Sequence, residues 1–296
     1  MIPSVFSPDY VVSTPARNML KLGRVHELAE REDLVHSAIP QPLDRAVLFS
    51  LHDEAYVRDF LSGRKPLSIS NNLPWSEDLV SAVRLMNGGM LNAYDLAHEH
   101  GVAVNIANGF HHAMPDRGEA YCTFNGLALL AHCNPRRRVF VLDIDQHGGN
   151  GTEIFCARLE NLTAFSIHGS RFGCTGGPRS HLRLVREART QPELFLRALD
   201  EALELAAEHD VLVYQAGVDC HYADPHGSMG LDDPLLMQRD EKVAAWALKH
   251  GKPLVVCLAG GYQSMDIVCE LHLRTLRSLD ACYARRSKPR QPSRAI

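Results

Sequence analysis

Val139-Phe-Val-Leu-Asp-Ile-Asp-Gln-His-Gly-Gly-Asn-Gly151 is the stretch that decides both the fold and the chemistry. Its first four residues form an apolar run without polar alternation, the pattern of a strand buried on both faces of a parallel sheet. The run passes directly into Asp143, Asp145 and His147, and then into glycines. Successive side chains of an extended chain alternate faces, so these three polar groups, spaced by two, point to one side. Bare charges leaving an apolar strand together would be costly. A divalent cation satisfies them. Asp and His with a third ligand from elsewhere is the donor pattern of a catalytic zinc site that keeps one position for water. In isolation the same residues also read as a helix N-cap and a turn histidine.

Outward from this stretch, short apolar runs at 102–106, 162–167, 211–214 and 253–258 read as further strands. Helical periodicity covers 77–98, 193–208, 242–250 and 264–281. Strands alternating with helices of this length imply βαβ crossovers and a mostly parallel sheet with helices on both faces. The first 72 residues read as a helical lead-in (16–31 and 53–61) with loops. No repeat or linker appears, so the expectation is one α/β catalytic domain over residues 1–284. A basic tail follows at 285–296, where Arg285-Arg-Ser-Lys-Pro-Arg reads as a solvated segment.

Composition narrows the class. The chain has 296 residues, 45% of them hydrophobic, enough for a large core, and a net charge of −4. That balance gives no general attraction to nucleic acid or acidic membranes. No apolar stretch reaches the roughly 18 residues of a membrane helix, and the N-terminus lacks the pattern of a secretory signal. Eight scattered cysteines without a CxxC pair fit reduced thiols in cytoplasm.

Each candidate strand ends in a polar or glycine-rich segment, and ligands of parallel sheets bind beyond the carboxyl ends of the strands. The segments Ala107-Asn-Gly-Phe-His-His-Ala113, Gln215-Ala-Gly-Val-Asp219 and Ala259-Gly-Gly-Tyr262 should therefore converge with Asp143–His147. Asp219 is the best third metal ligand, since two carboxylates and a neutral imidazole cancel the ion's charge. His111 and His112 read as a chance pair in a chain with 16 histidines, as a second metal site or, on position, with one oriented by Asp143 as a general base for the attacking water. Tyr262, after a flexible Gly260-Gly261 pair, can donate to an oxyanion, although Gly-Gly-Tyr is also an ordinary packing turn.

Taken in order, Gly109-Phe-His-His-Ala113, Leu142-Asp-Ile-Asp-Gln-His147, Gln215-Ala-Gly-Val-Asp219 and Leu258-Ala-Gly-Gly-Tyr262 resemble the motifs of the zinc-dependent histone deacetylase family, including its bacterial acetoin-utilisation and acetylpolyamine deacetylase members. Weaker matches are Leu51-His-Asp-Glu-Ala-Tyr56 and Pro74-Trp75, so the resemblance spans about residues 3 to 282. It implies the arginase/deacetylase fold and one Zn2+ per chain held by Asp145, His147 and Asp219. It makes His112 the base, His111 its partner held by Asp143, and Tyr262 the oxyanion donor. Tyr121, with Gly260 and Gly261, would line the substrate tunnel. It also implies a K+ ion bound by the Asp143 side chain, the Ser166 hydroxyl and main-chain oxygens including those of Asp143 and Ile167. The implied reaction removes an acyl group, acetyl or longer, from a lysine side chain or related amine. The resemblance implies sensitivity to hydroxamates and leaves the oligomeric state open.

Two departures stand out. Gly148 replaces a second histidine found in many relatives. Asn150 replaces an Asp, which leaves His112 against a neutral amide and lowers its expected basicity; this turn is similar to the fourth class of the family. Three other readings stay open at this level: an acetylpolyamine or other small N-acyl amine deacetylase, a two-manganese ureohydrolase of the same fold, and a catalytically weak module that binds acylated ligands.

Overall fold

The structure is a computed structural model that describes residues 1–14 and 19–284; the basic tail at 285–296 and residues 15–18, which include the start of the helix expected at 16–31, lie outside the described residues. Eight strands form one sheet: β1 (Ile2–Val5), β2 (Val35–Ala38), β3 (Val102–Asn105), β4 (Val139–Asp143), β5 (Leu162–His168), β6 (Ser180–Leu184), β7 (Val211–Ala216) and β8 (Leu254–Leu258). They are all parallel, in the order β2-β1-β3-β8-β7-β4-β5-β6. Every residue of β3, β4, β5, β7 and β8 is buried. This is why those five strands read as continuous apolar runs.

Nine helices surround the sheet among the described residues: α1 (Leu20–Arg31), α2 (Arg45–Leu51), α3 (Glu54–Ser62), α4 (Glu77–His100), α5 (Gly126–Cys133), α6 (Asn150–Arg158), α7 (Pro192–Ala206), α8 (Asp233–His250) and α9 (Met265–Ala284). One layer runs α4–α5–α6 and the other α1–α9–α8–α7. Local sequence explains the ends. Ser76 caps α4 by accepting from the Leu79 N–H, and Glu77 and Asp78 complement the dipole of its first turn. Gly101 ends it in a left-handed conformation. No helix of the described residues is long and apolar enough to cross a membrane.

The N-terminal lead-in needs correction: it contributes β1 and β2 to the sheet as well as α1 and α3. Ile-Pro-Ser-Val and Val-His-Ser-Ala carry a proline and polar residues, so neither reads as a strand. Pairing supplies what pattern lacks, with β2 held along an edge of the sheet by β1. β6, at the other edge, is half exposed and was missed for the same reason. α8 starts at Asp233 rather than near 242, because its first half buries Arg239 and Asp240, which disguises the apolar face.

Arg239 and Asp240 are buried because they satisfy each other and their surroundings. Arg239 Nε donates to Asp240 Oδ1 at 2.9 Å, and Asp240 also accepts from the Tyr214 hydroxyl at 2.6 Å and the Thr275 hydroxyl at 2.7 Å. Arg239 Nη1 reaches the Gly217 carbonyl at 2.5 Å, two residues before Asp219. All but one of the polar atoms of this buried pair are matched, Arg239 Nη2 being left without a partner among the described residues. Here they brace the end of β7.

Candidate active site

The central strands β3, β8, β7 and β4 are neighbours, so their carboxyl-end loops meet. The cavity they form is lined by His111 and His112 after β3, Asp145 after β4, and Gly260 and Tyr262 after β8. Tyr121 and Lys21 close its sides. Asp219, after β7, is fully buried beneath it.

His147 Nδ1 lies 3.3 Å from Asp145 Oδ1 and 3.3 Å from Asp219 Oδ2. One donor atom from each of the three residues lies within 4.8 Å of the others. Donors placed about 2.0–2.1 Å from one tetrahedral zinc stand roughly 3.3 Å apart, so the spacing fits. The remaining carboxylate oxygens are engaged by backbone. Gly260 N–H donates to Asp145 Oδ2 at 3.0 Å, and Gln146 N–H to Asp219 Oδ1 at 3.0 Å. Asp219 Oδ2, buried and facing His147, accepts no hydrogen bond. An orphaned carboxylate oxygen there is what a metal ligand leaves.

Electrostatics agree. Burial, reinforced by the charge of Asp145, pushes Asp219 up to about 7. Burial opposes a charge on His147, but the pull of the Asp145 and Asp219 carboxylates outweighs it and lifts the ring to about 10. The cluster therefore retains a proton that a dication bound by the same atoms would displace.

Behind the ligands stands an ordered polar layer. His111 Nδ1–H donates to Asp143 Oδ2 at 2.7 Å; burial disfavours its charge, yet Asp143 and Asp145 together raise it above the ordinary histidine value. Asp143 Oδ1 accepts from Gln215 Nε2 at 3.2 Å, while Gln215 Oε1 accepts from the Phe110 N–H at 3.1 Å. His112 Nδ1–H donates to Asn150 Oδ1 at 2.8 Å, which leaves Nε2 to accept a proton. Burial, with the neighbouring His111, holds His112 well below its ordinary value. Ser166, on β5, is in register with Asp143. That register sets side by side the two residues whose side chains the family resemblance implies for potassium.

Glycines allow the close approaches. A Cβ on Gly260 would overlap Asp219 Oδ2, and one on Gly148 would overlap the Arg171 carbonyl oxygen. The second contact accounts for Gly148: the loop after β5 packs against it and excludes a histidine. The same loop carries Phe172, whose ring lies 4.2 Å from His112 and 5.6 Å from His147. Tyr121 and Tyr262 rings lie 6.5 Å apart.

Sequence reading missed four residues of this site. Phe172 sits in a glycine-rich loop with no periodic signal. Lys21 looked like an ordinary position of an amphipathic helix, yet it is buried and its ammonium donates to the Ala259 carbonyl. Burial pulls it down to about 8 against the opposing pull of Asp219 and Asp145. Asp224 accepts the Tyr262 N–H at 2.8 Å and so fixes the start of that loop. Glu119 accepts from Asn150 Nδ2 at 2.7 Å. A second cavity, mainly apolar, borders the first through Asn108, Gly109 and Tyr121 and is walled by Leu79, Val83, Met86 and Phe124.

Comparison with known proteins places this arrangement. The histone deacetylase domain matches residues 15–278. An uncharacterized protein of Picosynechococcus sp. is 30% identical over 275 residues, covering 88% of this chain and 92% of its own. Histone deacetylase 2 of Arabidopsis thaliana is 30% identical over 270 residues, covering 82% and 68%. Among solved structures, an acetylpolyamine aminohydrolase from Burkholderia pseudomallei shares the fold with a TM-score of 0.79 at 18% identity, covering 96% of this chain and 99% of that one.

Proposed function

The chain belongs to the histone deacetylase domain family, and from that premise we propose that it is a zinc-dependent amidohydrolase that removes an acyl group from a lysine side chain or a related amine. The observation that carries the reading is the meeting of Asp145, His147 and Asp219, distant in sequence, with their donor atoms within 4.8 Å of one another. Zinc bound there supplies a Lewis acid that polarises the scissile carbonyl and lowers the pKa of water.

The residues of the chain divide the remaining work. His112, with Nδ1–H committed to Asn150, takes the proton of the attacking water at Nε2. His111, paired with Asp143, holds positive charge beside the reacting centre and returns a proton to the leaving amine. Tyr262 donates its hydroxyl to the oxyanion. Tyr121 and Phe172 flank the extended arm of the substrate and exclude water. Asp143, Ser166 and the Ile167 main chain would hold a potassium ion, which would stabilise the carboxyl ends of β4 and β5. The cavity beside Gly109 and Tyr121 is apolar, which suits the hydrocarbon part of an acyl group.

A small N-acyl amine such as an acetylpolyamine is the second reading of the same chemistry. The deciding experiment loads the purified protein with zinc and compares hydrolysis of an acetyl-lysine peptide, a long-acyl-lysine peptide and an acetylpolyamine. Turnover in proportion to zinc content is expected on at least one. Silence on all three with metal bound overturns the hydrolase reading and leaves a binding module.

A further inference from the structure

Asn150 faces two partners. Its Oδ1 accepts from His112 Nδ1–H at 2.8 Å, and its Nδ2 donates to Glu119 Oε2 at 2.7 Å. Glu119 lies in the short turn that carries Tyr121; its N–H donates to the Cys122 carbonyl at 3.0 Å, and the Cys122 N–H returns to the Glu119 carbonyl at 2.8 Å. We infer that Glu119 is a positioning residue for the base: through Asn150 it fixes the tautomer of His112. The inference rests on the hydrolase reading for its kinetic consequence, not for its geometry.

A carboxamide has an accepting end and a donating end that differ little in shape, and half a turn exchanges them. With its NH2 toward His112, Asn150 would require an unprotonated Nδ1. The imidazole proton would then sit on Nε2, where it blocks the lone pair a base needs. A carboxylate accepts and cannot donate, so Glu119 tolerates only the NH2 end of Asn150. The oxygen end must then face His112, and Nδ1 must carry the proton. The Gly151 N–H, 3.0 Å from Asn150 Oδ1, favours the same orientation. The negative charge on Glu119 also polarises the amide toward His112. The carboxylate that Asn150 lacks is thus present one residue further away.

Four variants and one spectroscopic reading test this. Glu119→Ala should lower kcat roughly tenfold with KM within about twofold, the size expected when an outer partner of a catalytic histidine is removed. Glu119→Gln, which can still present an oxygen to Asn150, should stay within about threefold of the parent. Asn150→Asp places two carboxylates at hydrogen-bond distance and should be impaired, whereas Asn150→Asp with Glu119→Gln restores a donor between them and should recover activity over the single variant. The 15N NMR signal of His112 should show a protonated Nδ1 in the parent and in Glu119→Gln, and exchange between tautomers in Glu119→Ala. A role confined to the Tyr121 turn would instead raise KM and leave the tautomer unchanged, which overturns the inference. So does an Asn150→Asp protein at least as active as the double variant. If the zinc-loaded parent hydrolyses no acyl amine, the hydrolase reading fails, and the NMR comparison alone decides the role of Glu119.

Discussion

Tyr262→Phe separates chemistry from structure more cleanly than any other single change at this site. Among the described residues, the one hydrogen bond of Tyr262 is its backbone N–H to Asp224 Oδ2 at 2.8 Å. The substitution keeps that bond. The phenol oxygen gives up no protein partner, so folding stability should shift by less than about 0.5 kcal/mol. Burial, with the charges of Asp219 and Asp145 adding to it, holds the phenol far above its ordinary value, so it stays a neutral donor at working pH. Its contribution therefore appears only when negative charge develops on the substrate oxygen. Removing one oxyanion donor costs roughly 2.7–4 kcal/mol, or about 10²–10³ in kcat. The assay measures kcat, KM, zinc per chain and melting temperature on the same preparation. A fall in kcat with zinc content and melting temperature unchanged is expected. A kcat within about threefold of the parent removes Tyr262 from the chemistry; loss of zinc makes it a structural residue.

Asp219→Ala should lose zinc and activity together, because it removes one of the three converging donors; tight zinc binding by dialysis and metal analysis would contradict its role. His52 gives a pH prediction. Its Nδ1–H donates to the Met114 carbonyl at 2.9 Å and its Nε2 accepts the Asn125 N–H at 3.2 Å, so the ring must be neutral. Burial, partly offset by the Met114 and Pro115 carbonyls, pulls it down to about 4. The unfolded chain takes up a proton near 6.5 and the folded chain only near 4. This contribution to stability is therefore intact above pH 6.5 and lost as pH falls toward 4, by at most about 3 kcal/mol. His52→Gln keeps a donor and an acceptor and should flatten the dependence of denaturant midpoint on pH over that window; an identical slope refutes the assignment. Val83→Trp should fill the apolar side cavity, leaving acetyl-lysine hydrolysis within about threefold and lowering long-acyl hydrolysis at least about tenfold. Equal losses on both substrates would exclude that cavity as the acyl site.

What the sequence carried, and what it did not, follows from how each residue is held. The strand 139–143 was legible because parallel strands are apolar on both faces, and its ligands because glycines and carboxylates break that run at a strand end. Asp219 and Tyr262 follow the same rule after β7 and β8. Lys21 was hidden because its charge is buried through a main-chain carbonyl that no pattern announces. Glu119 was hidden because its partner is an amide whose orientation exists only in three dimensions. β1 and β2 were hidden because a four-residue strand with a proline or serine owes its existence to its neighbours. Arg239 and Asp240 made a buried helix look solvated. Composition reads the bulk of a core well; it reads poorly those polar residues whose burial depends on one exact partner.

The donor set also decides between one metal and two. A dinuclear ureohydrolase site needs a second group of carboxylates around the first, bridging both ions. The later loop does offer further acid and imidazole groups, but the structure commits them elsewhere. His221 Nε2 lies 3.0 Å from Asp233 on α8. Asp224 spends its two oxygens on the Tyr262 and His226 N–H groups. Asp143 is held by His111, Gln215 and the Asp145 N–H. Among the described residues only Asp145, His147 and Asp219 converge as a possible ligand set. One candidate ligand set with two oriented histidines beside it favours the amide-hydrolysing reading over one that splits a guanidinium between two metals.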